Sequence, residues 1–280
     1  MVDESGGAAA VRRLLQSPEF ELIPLPSVAK QIEFLPEAAT VTVTSSPTRG
    51  LEPTLELAAE LSRRGFTAIP HLAARSVTDR AHLSRIVQFL DSAGLGRVFI
   101  VAGDSKETGE FPDGLSLIRG MEDLGSLPEI GIPAYPDGHP FISHEVLRRV
   151  LADKQEDASY MTTQMCFDPS TIADWISQTR SQNITLPLHI GIPGVASLQK
   201  LISVSAQIGV GQSARYLSRH TGLFRRLGPQ SSFSPDQLIA DLIGVITDPA
   251  ADVEALHLYS FNQIESLEAW RTGWLAALAG

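Results

Sequence analysis

The chain has 280 residues, 43% of them apolar, and a formal net charge of −10. This length is sufficient for one large domain with a substantial core. The negative charge argues against nucleic-acid binding through the phosphate backbone, which needs clustered lysine and arginine. Cys166 is the only cysteine. An intrachain disulfide and a thiolate metal cage are therefore excluded, which fits a reducing cytoplasm.

Residues 1–18 are rich in glycine and alanine and lack the uninterrupted apolar stretch of a signal peptide. No segment approaches the apolar length of a membrane span. We therefore expect a soluble cytoplasmic protein without a membrane partner, in which residues 1–18 form a mobile leader. Within the leader, Arg12–Leu15 would add a helical turn at the bottom of the domain. The sequence leaves a homo-oligomer open.

Eight short apolar runs alternate with amphipathic stretches in which apolar residues recur at helical spacing. The runs are nearly continuous, which is typical of parallel strands covered on both faces. This order predicts a single-domain (β/α)8 TIM barrel over residues 19–280, with its chemistry at the carboxyl ends of the strands. The predicted strands are Phe20–Leu25, Thr40–Thr44, Ala68–Leu72, Arg97–Ala102, Ile130–Tyr135, Met161–Phe167, Pro187–Ile192 and Ala255–Phe261.

Residues that favour helix starts and helix ends occur where this alternation of strands and helices requires them. Asp79 and Asp168 stand where helices should start, and Gly65, Gly94 and Gly125 stand where helices should end.

The longest departure from the repeat is an insertion around residues 210–235, before the last strand. Its basic side chains would meet a phosphate or a polyglutamate tail, or would pair with surface carboxylates; both interpretations remain open. The arginines concerned are Arg215, Arg219, Arg225 and Arg226.

Glu21 interrupts the first apolar run, in FELIPLPS, and would project into the barrel mouth. Burying an unpaired charge there is costly, which would favour the protonated form. Glu21 is therefore a candidate general acid. The open alternative is a carboxylate in a structural ion pair or at a solvent-facing strand edge.

Two polar residues follow or interrupt later strands. Asp104 closes the fourth run in RVFIVAGD, where a carboxylate is typical of a barrel site, although a helix cap or turn is the alternative. Gln164 lies within YMTTQMCFD, and its amide suits the edge of a heterocycle unless it is a satisfied core residue.

The seven histidines do not form a metal-binding pattern, since no pair has the H-x-x-x-H spacing, and we expect no metal site. His71, in AIPHLA, and His139, in GIPAYPDGHP, are interpreted as pocket donors or as satisfied core histidines.

Three segments that carry these residues resemble the methylenetetrahydrofolate reductase family, in that family's order. FELIPLPS is similar to the F-E-F-F-P-P strand, which would make Glu21 the acid that protonates the folate bridge nitrogen. VAGD is similar to L-R-G-D, which would place Asp104 beside the pterin. MTTQMCFD resembles A-I-T-Q-F-F-F-D, which would make Gln164 the folate-binding amide.

The resemblance extends from about Phe20 to Asn262. GIPAYPDGHP, with Tyr135 and His139, resembles A-A-Y-P-E-x-H-P, and together with the glutamine strand it is the most specific segment. PHLA, with His71, matches P-H-L-T. LHLYSFN, with Tyr259 and Asn262, is similar to H-F-Y-T-L-N.

The departures concern the flavin that members of the family usually hold. Where the family has an arginine before Gly-Asp, this chain has Ala102, and Gln263 replaces the arginine after the final Leu-Asn. The T-Y-G-A run is replaced by TSSPTRG, beginning at Thr44. Loss of a fixed guanidinium removes a bidentate phosphate clamp, so we expect that FAD is not retained.

The resemblance implies reduction of 5,10-methylenetetrahydrofolate to 5-methyltetrahydrofolate by hydride from NADH, with NADPH not excluded. Without flavin the hydride would pass directly from the nicotinamide, which would be lined by His71, Tyr135, His139 and Lys154. The alternatives are a flavin-dependent reductase of the same folate and a non-catalytic folate-binding barrel. A weaker alternative is a flavin- or deazaflavin-dependent enzyme on another one-carbon carrier.

Overall fold

A computed structural model of the chain describes residues 4–45, 49–105, 108–126, 128–197, 199–201 and 232–279. Its centre is a closed barrel of eight parallel strands, in which each strand pairs with the next along the chain and the last closes onto the first. The predicted (β/α)8 barrel is thereby confirmed. The barrel strands are β1 (Glu19–Leu22), β2 (Thr40–Val43), β3 (Thr67–Ala73), β4 (Arg97–Val101), β5 (Glu129–Ala134), β6 (Tyr160–Thr163), β7 (Leu188–Pro193) and β10 (Val253–Tyr259).

Helices surround the barrel, and two short strands, β8 (Ala196–Ser197) and β9 (Ser232–Phe233), form a separate antiparallel pair. None of the helices in the described ranges is both long and apolar enough to cross a bilayer. The described helices are α1 (Glu4–Gln16), α2 (Val28–Ile32), α3 (Glu52–Arg63), α4 (Arg80–Ser92), α5 (Gly114–Asp123), α6 (His144–Lys154), α7 (Pro169–Ser181), α8 (Asp236–Ile246) and α9 (Ile264–Ala277).

Helix boundaries follow the predicted turn chemistry. The Asp79 side chain accepts the His82 backbone N–H at 2.7 Å and starts α4, and Asp168 accepts backbone N–H groups at the start of α7. Gly65, which follows α3, has a φ of +88°, in the left-handed region that glycine adopts without a Cβ penalty. The apolar stripes predicted on α3 and α4 are buried against the barrel.

The amino-terminal segment differs from our expectation of a mobile leader. Glu4–Gln16 form a regular helix that packs on α8, α9 and β10, with Val11, Leu14 and Leu15 buried. The Arg13 guanidinium donates to the Val253 carbonyl at 3.2 Å, at the first residue of β10. The physical reason is that apolar side chains on one face of this helix are removed from water only by such packing.

The basic insertion lies mostly outside the described residues. Residues 202–231 contain all four of its arginines, so the choice between ligand contact and surface pairing stays a prediction.

Candidate active site

The barrel interior contains a buried acidic residue, Glu19 of β1, that is shared by two histidines. One Glu19 oxygen, Oε2, lies 3.1 Å from His189 Nδ1 on β7 and 3.2 Å from His257 Nδ1 on β10. All three side chains are almost inaccessible to water. Strand register explains the meeting, because Glu19 is the register partner of His257 on β10, and β7 is the other neighbour of β10 in the closed barrel.

These contacts decide the protonation states of the cluster. Burial by itself raises the pKa of Glu19, but hydrogen bonds and positive charge from His189 and His257 more than offset this and hold it well below its usual range. For His257, burial lowers the pKa, whereas its contacts with Glu19 and Glu21 raise it to about 9 overall. His257 is therefore a buried imidazolium at neutral pH.

Below this cluster, Arg97 of β4 connects Glu19 to the bottom of the barrel. One Arg97 nitrogen lies 2.8 Å from Glu129 Oε1 and 3.6 Å from Glu19 Oε1. The Tyr160 ring lies beneath the guanidinium carbon at 5.2 Å and stacks on His189 at a centroid distance of 4.2 Å. Glu19 is thus flanked by cationic or imidazole groups from three strands.

Glu21, the predicted general acid, lies two residues further along β1, toward the mouth. Its Oε2 is 3.6 Å from His257 Nε2, and its side chain is 14% exposed. Its backbone carbonyl accepts a hydrogen bond from the Ser260 hydroxyl. The alternative interpretation of Glu21, a carboxylate in an ion pair, therefore describes its contact with His257. Part of the Glu21 carboxyl is nevertheless accessible from the mouth of the barrel.

His71 of β3 approaches the same interior space. Its ring packs on Phe99 with centroids 4.7 Å apart, and its Nε2 has no hydrogen-bond partner among the described residues. Burial lowers the pKa of His71 to about 4, with Glu21 acting in the opposite direction. His71 is thus neutral, and its Nε2 is a buried polar atom without a partner rather than part of a satisfied core.

Asp104 follows β4 at the rim and is exposed. Burial, together with the charge of Asp104, raises the pKa of the Tyr135 phenol to about 12. Burial lowers the pKa of His139, and Asp104 acts in the opposite direction. The Tyr135 and His139 rings meet edge to face at 5.4 Å. Asp104, Tyr135 and His139 therefore form one group at the mouth.

Gln164 directly follows β6 and is half-buried. Its backbone N–H donates to the Ala134 carbonyl at 2.7 Å, and its side-chain oxygen accepts the Met165 N–H at 2.8 Å. The Tyr259 hydroxyl donates to the Thr163 carbonyl at 2.9 Å, next to Gln164. The loop that carries the amide is thus fixed by backbone contacts.

The mouth residues interact electrostatically across the barrel. Burial raises the pKa of Tyr259 well above its usual value, and the charges of Glu21 and Tyr135 add to this. Tyr135 in turn interacts electrostatically with Asp104. Glu21, Asp104 and Gln164 all lie at the carboxyl ends of their strands, the end that carries chemistry in barrels of this type.

Lys154 is apart from this interior group. It lies at the end of α6, is buried, and its Nζ would be 2.9 Å from a Cβ placed at Gly114 of α5. Burial lowers the pKa of its amine, and the charge of Asp113 acts in the opposite direction. Lys154 lines a groove of about 130 Å³ together with Ala102 and Tyr135. Of the predicted cofactor residues, Tyr135 and Lys154 thus share one groove, whereas His71 faces the barrel interior.

Sequence reasoning missed Glu19, His189 and His257. The available signals were weak: Glu19 is two residues before Glu21 and so shares its strand face, and each histidine interrupts an apolar strand. Asn262, which carries part of the resemblance, bonds both backbone groups of Ile23 at 2.9 Å and thereby joins the end of β1 to the loop after β10. Within the described ranges, no group of three or more His, Cys, Asp or Glu is arranged to hold a metal.

In a comparison with known protein families, residues 25–269 match the family model described as methylenetetrahydrofolate reductase. The match includes Asp104, Tyr135 and Gln164 and begins just after β1, so Glu21 lies outside it. The barrel and the order of the rim residues agree with this match. The chain therefore belongs to the methylenetetrahydrofolate reductase family, which makes it an oxidoreductase that acts on methylenetetrahydrofolate.

Proposed function

We propose that the protein reduces 5,10-methylenetetrahydrofolate to 5-methyltetrahydrofolate with hydride taken directly from NADH. The observation that supports the proposal is that Glu21 and Asp104 both lie at the carboxyl ends of their barrel strands, in different surroundings. Glu21 has a cationic partner, His257, 3.6 Å behind it, whereas Asp104 stands exposed beside Tyr135 and His139. Two carboxyls in such different surroundings are suited to different roles.

The chemistry explains why two roles are needed. The methylene bridge must open to an iminium cation before it accepts hydride, and opening requires a proton on one bridge nitrogen. Glu21 donates that proton. Asp104, exposed at the mouth, stabilises the positive charge that develops. Gln164 orients the pterin through its amide, because an amide both donates and accepts hydrogen bonds.

The nicotinamide cofactor would bind between the barrel interior and the rim. His71 offers a buried Nε2 without a partner among the described residues, and Tyr135 and His139 offer ring faces and edges at the rim. NADH, when bound, supplies the hydride. Lys154 would contact an anionic part of the cofactor, because its buried amine lines the groove beside Tyr135. A groove of about 130 Å³ is smaller than the roughly 300–1,000 Å³ of usual ligand sites, so it would hold only a fragment of the dinucleotide.

The departures at Ala102 and Gln263 support transfer without flavin. Ala102 lines the groove of Lys154 and presents a methyl group where the family pattern has a guanidinium. A methyl group donates no hydrogen bond to a phosphate. We also propose that the reaction takes place in the cytoplasm, since a single buried cysteine, Cys166, is suited to a reducing compartment.

The direct experiment is to follow NADH oxidation at 340 nm with purified protein, with and without methylenetetrahydrofolate, in the absence of added flavin. We expect oxidation only when the folate is present, with NADPH tested in parallel. A stoichiometric yellow chromophore that NADH bleaches would instead establish the flavin-dependent alternative. Double-reciprocal plots provide a second criterion, because a ternary complex gives intersecting lines and a flavin relay gives parallel ones.

The substitution Glu21→Gln distinguishes an enzyme from a non-catalytic folate-binding barrel. Loss of a general acid costs roughly 10²–10⁴-fold in rate. We expect kcat to fall within this range while folate binding, measured by calorimetry, persists. An unchanged kcat would remove Glu21 from the mechanism.

A further inference from the structure

We infer that His257 is the proton reserve for Glu21, and that Glu19 fixes His257 in the orientation and tautomer that this role requires. The inference deepens the proposed function and rests on it, because it concerns how Glu21 obtains the proton that it donates. His257 acts through Glu21 and is in this sense a positioning residue rather than a group that touches the folate.

The geometry around the imidazole carries the inference. Each ring nitrogen of His257 faces a carboxylate oxygen: Nδ1 lies 3.2 Å from Glu19 Oε2, and Nε2 lies 3.6 Å from Glu21 Oε2. A neutral imidazole has a single N–H, so one of its lone pairs would point at a carboxylate. The imidazolium directs an N–H at each of them, and His257 is only 2% exposed, so water does not replace either partner.

The surroundings of the ring agree with a stored proton. Among the described residues, the titratable groups around His257 are Glu19 and Glu21 on β1, His71 on β3 and Tyr259 on its own strand, and His189 on β7 faces the same Glu19 oxygen. The two carboxylates raise the pKa of His257 to about 9 against the effect of burial. By contrast, burial lowers the pKa of His71 to about 4, so His71 has no proton to give at neutral pH.

The proton transfer balances as follows. The Nε2–H bond of His257 breaks as an O–H bond forms on the Glu21 carboxylate, and that O–H bond breaks in turn as the folate bridge nitrogen forms its N–H bond. His257 keeps its Nδ1–H bond to Glu19 and becomes neutral. After product release, water at the mouth returns one proton. A separation of 3.6 Å is longer than a direct hydrogen bond, and catalytic contacts of this kind tighten in the substrate complex or include one water.

A reserve is needed because the mouth is where substrate binds. The Glu21 side chain is 14% exposed, and a pterin placed against it removes the remaining contact with solvent. His257 lies on the opposite side of the carboxyl, inside the barrel, and stays available while the mouth is occupied.

The test compares His257→Gln with His189→Gln. Glutamine at 257 keeps an N–H donor for Glu21 but has no proton to transfer. His189 is the matched control, because it is similarly buried and its Nδ1 lies 3.1 Å from the same Glu19 oxygen, whereas the ion pair described for Glu21 involves His257 and not His189. Circular dichroism and urea unfolding first establish that both variants fold, and steady-state kinetics with NADH and methylenetetrahydrofolate follow.

We expect His257→Gln to lower kcat by about 10²-fold with little change in KM, and His189→Gln to lower it by less than about 10-fold. In the wild type, kcat should fall as the pH rises through about 9, and this limb should disappear in His257→Gln. If the wild type turns over but both variants behave alike, or if the basic limb survives in His257→Gln, the inference is wrong and the proposed function stands. If the wild type shows no folate-dependent turnover with either nicotinamide cofactor, both are wrong.

As a readout independent of turnover, NMR titration of labelled histidine should show His257 protonated at pH 7.5. A neutral ring at that pH would also overturn the inference.

Discussion

The protonation of His257 predicts how the stability of the fold changes with pH. The folded protein keeps the His257 proton up to a pH of about 9, whereas an ordinary histidine releases its proton near 6.5. A base whose pKa is raised by folding contributes stability that is fully present below its unfolded pKa. This contribution is lost as the pH rises through the folded value. The contribution of His257 is therefore complete below pH 6.5 and decreases between pH 6.5 and about 9.

The size of this contribution follows from the difference between the folded pKa of His257, about 9, and its unfolded pKa of 6.5. This difference corresponds to about 3 kcal/mol of unfolding free energy for this fully buried group. His71 has the opposite effect on how stability depends on pH. Burial lowers the pKa of His71 to about 4, so its contribution to stability is lost as the pH falls below 6.5. Glu19, whose pKa is also lowered, acts in the same direction at low pH. Stability should therefore be greatest near pH 6.5.

The assay is urea unfolding at 25 °C, followed by far-UV circular dichroism between pH 6 and 9.5. We expect the wild type to lose about 3 kcal/mol over this range at constant m, and His257→Gln to lack most of this loss. Lys154, whose pKa is lowered by burial, acts in the opposite direction at high pH, so the difference between the two proteins is the quantity to compare. Equal slopes for wild type and variant would refute a buried His257 imidazolium.

Three further predictions concern packing and capping. Leu14→Ala should cost about 2–5 kcal/mol by urea unfolding, because Leu14 of α1 is 2% exposed, whereas a loss below about 0.5 kcal/mol would mean that the helix does not pack. Gly191→Ala should cost at least about 1–3 kcal/mol, because its Cβ would lie 2.2 Å from the Thr163 carbonyl oxygen. The control Gly244→Ala, on α8 with no atom within 4 Å, should instead stabilise by about 0.5–1 kcal/mol. Asp168→Ala should lower stability by about 1 kcal/mol through loss of the cap of α7, and an unchanged thermal midpoint would contradict the cap.

Local sequence patterns predicted most of the fold. The alternation of apolar runs and amphipathic stretches is encoded within a few residues of each element, so the strand order and the helix starts at Asp79 and Asp168 follow from it. Of the amino-terminal helix, only the turn Arg12–Leu15 was predicted, and its full length and packing were not. Gly/Ala composition suggests mobility, whereas the burial of Leu14 and Leu15 depends on α8 and α9, which come more than 200 residues later.

The rim of the site is partly predictable and the interior is not. A barrel brings the carboxyl ends of all its strands to one rim, so Glu21, Asp104 and Gln164 could be assigned to the mouth from sequence position alone. The roles assigned to them come from resemblance and remain proposals.

The sequence by itself determined the eight-fold repeat and the strand order, because these features depend on periodicity and turn chemistry within short segments. Only the tertiary structure decided that Glu19 and His257, 238 residues apart, share a buried hydrogen bond, and that His257 also faces Glu21. The reason is that side chains meet inside a barrel according to the register and closure of strands distant in the chain, which no local pattern specifies.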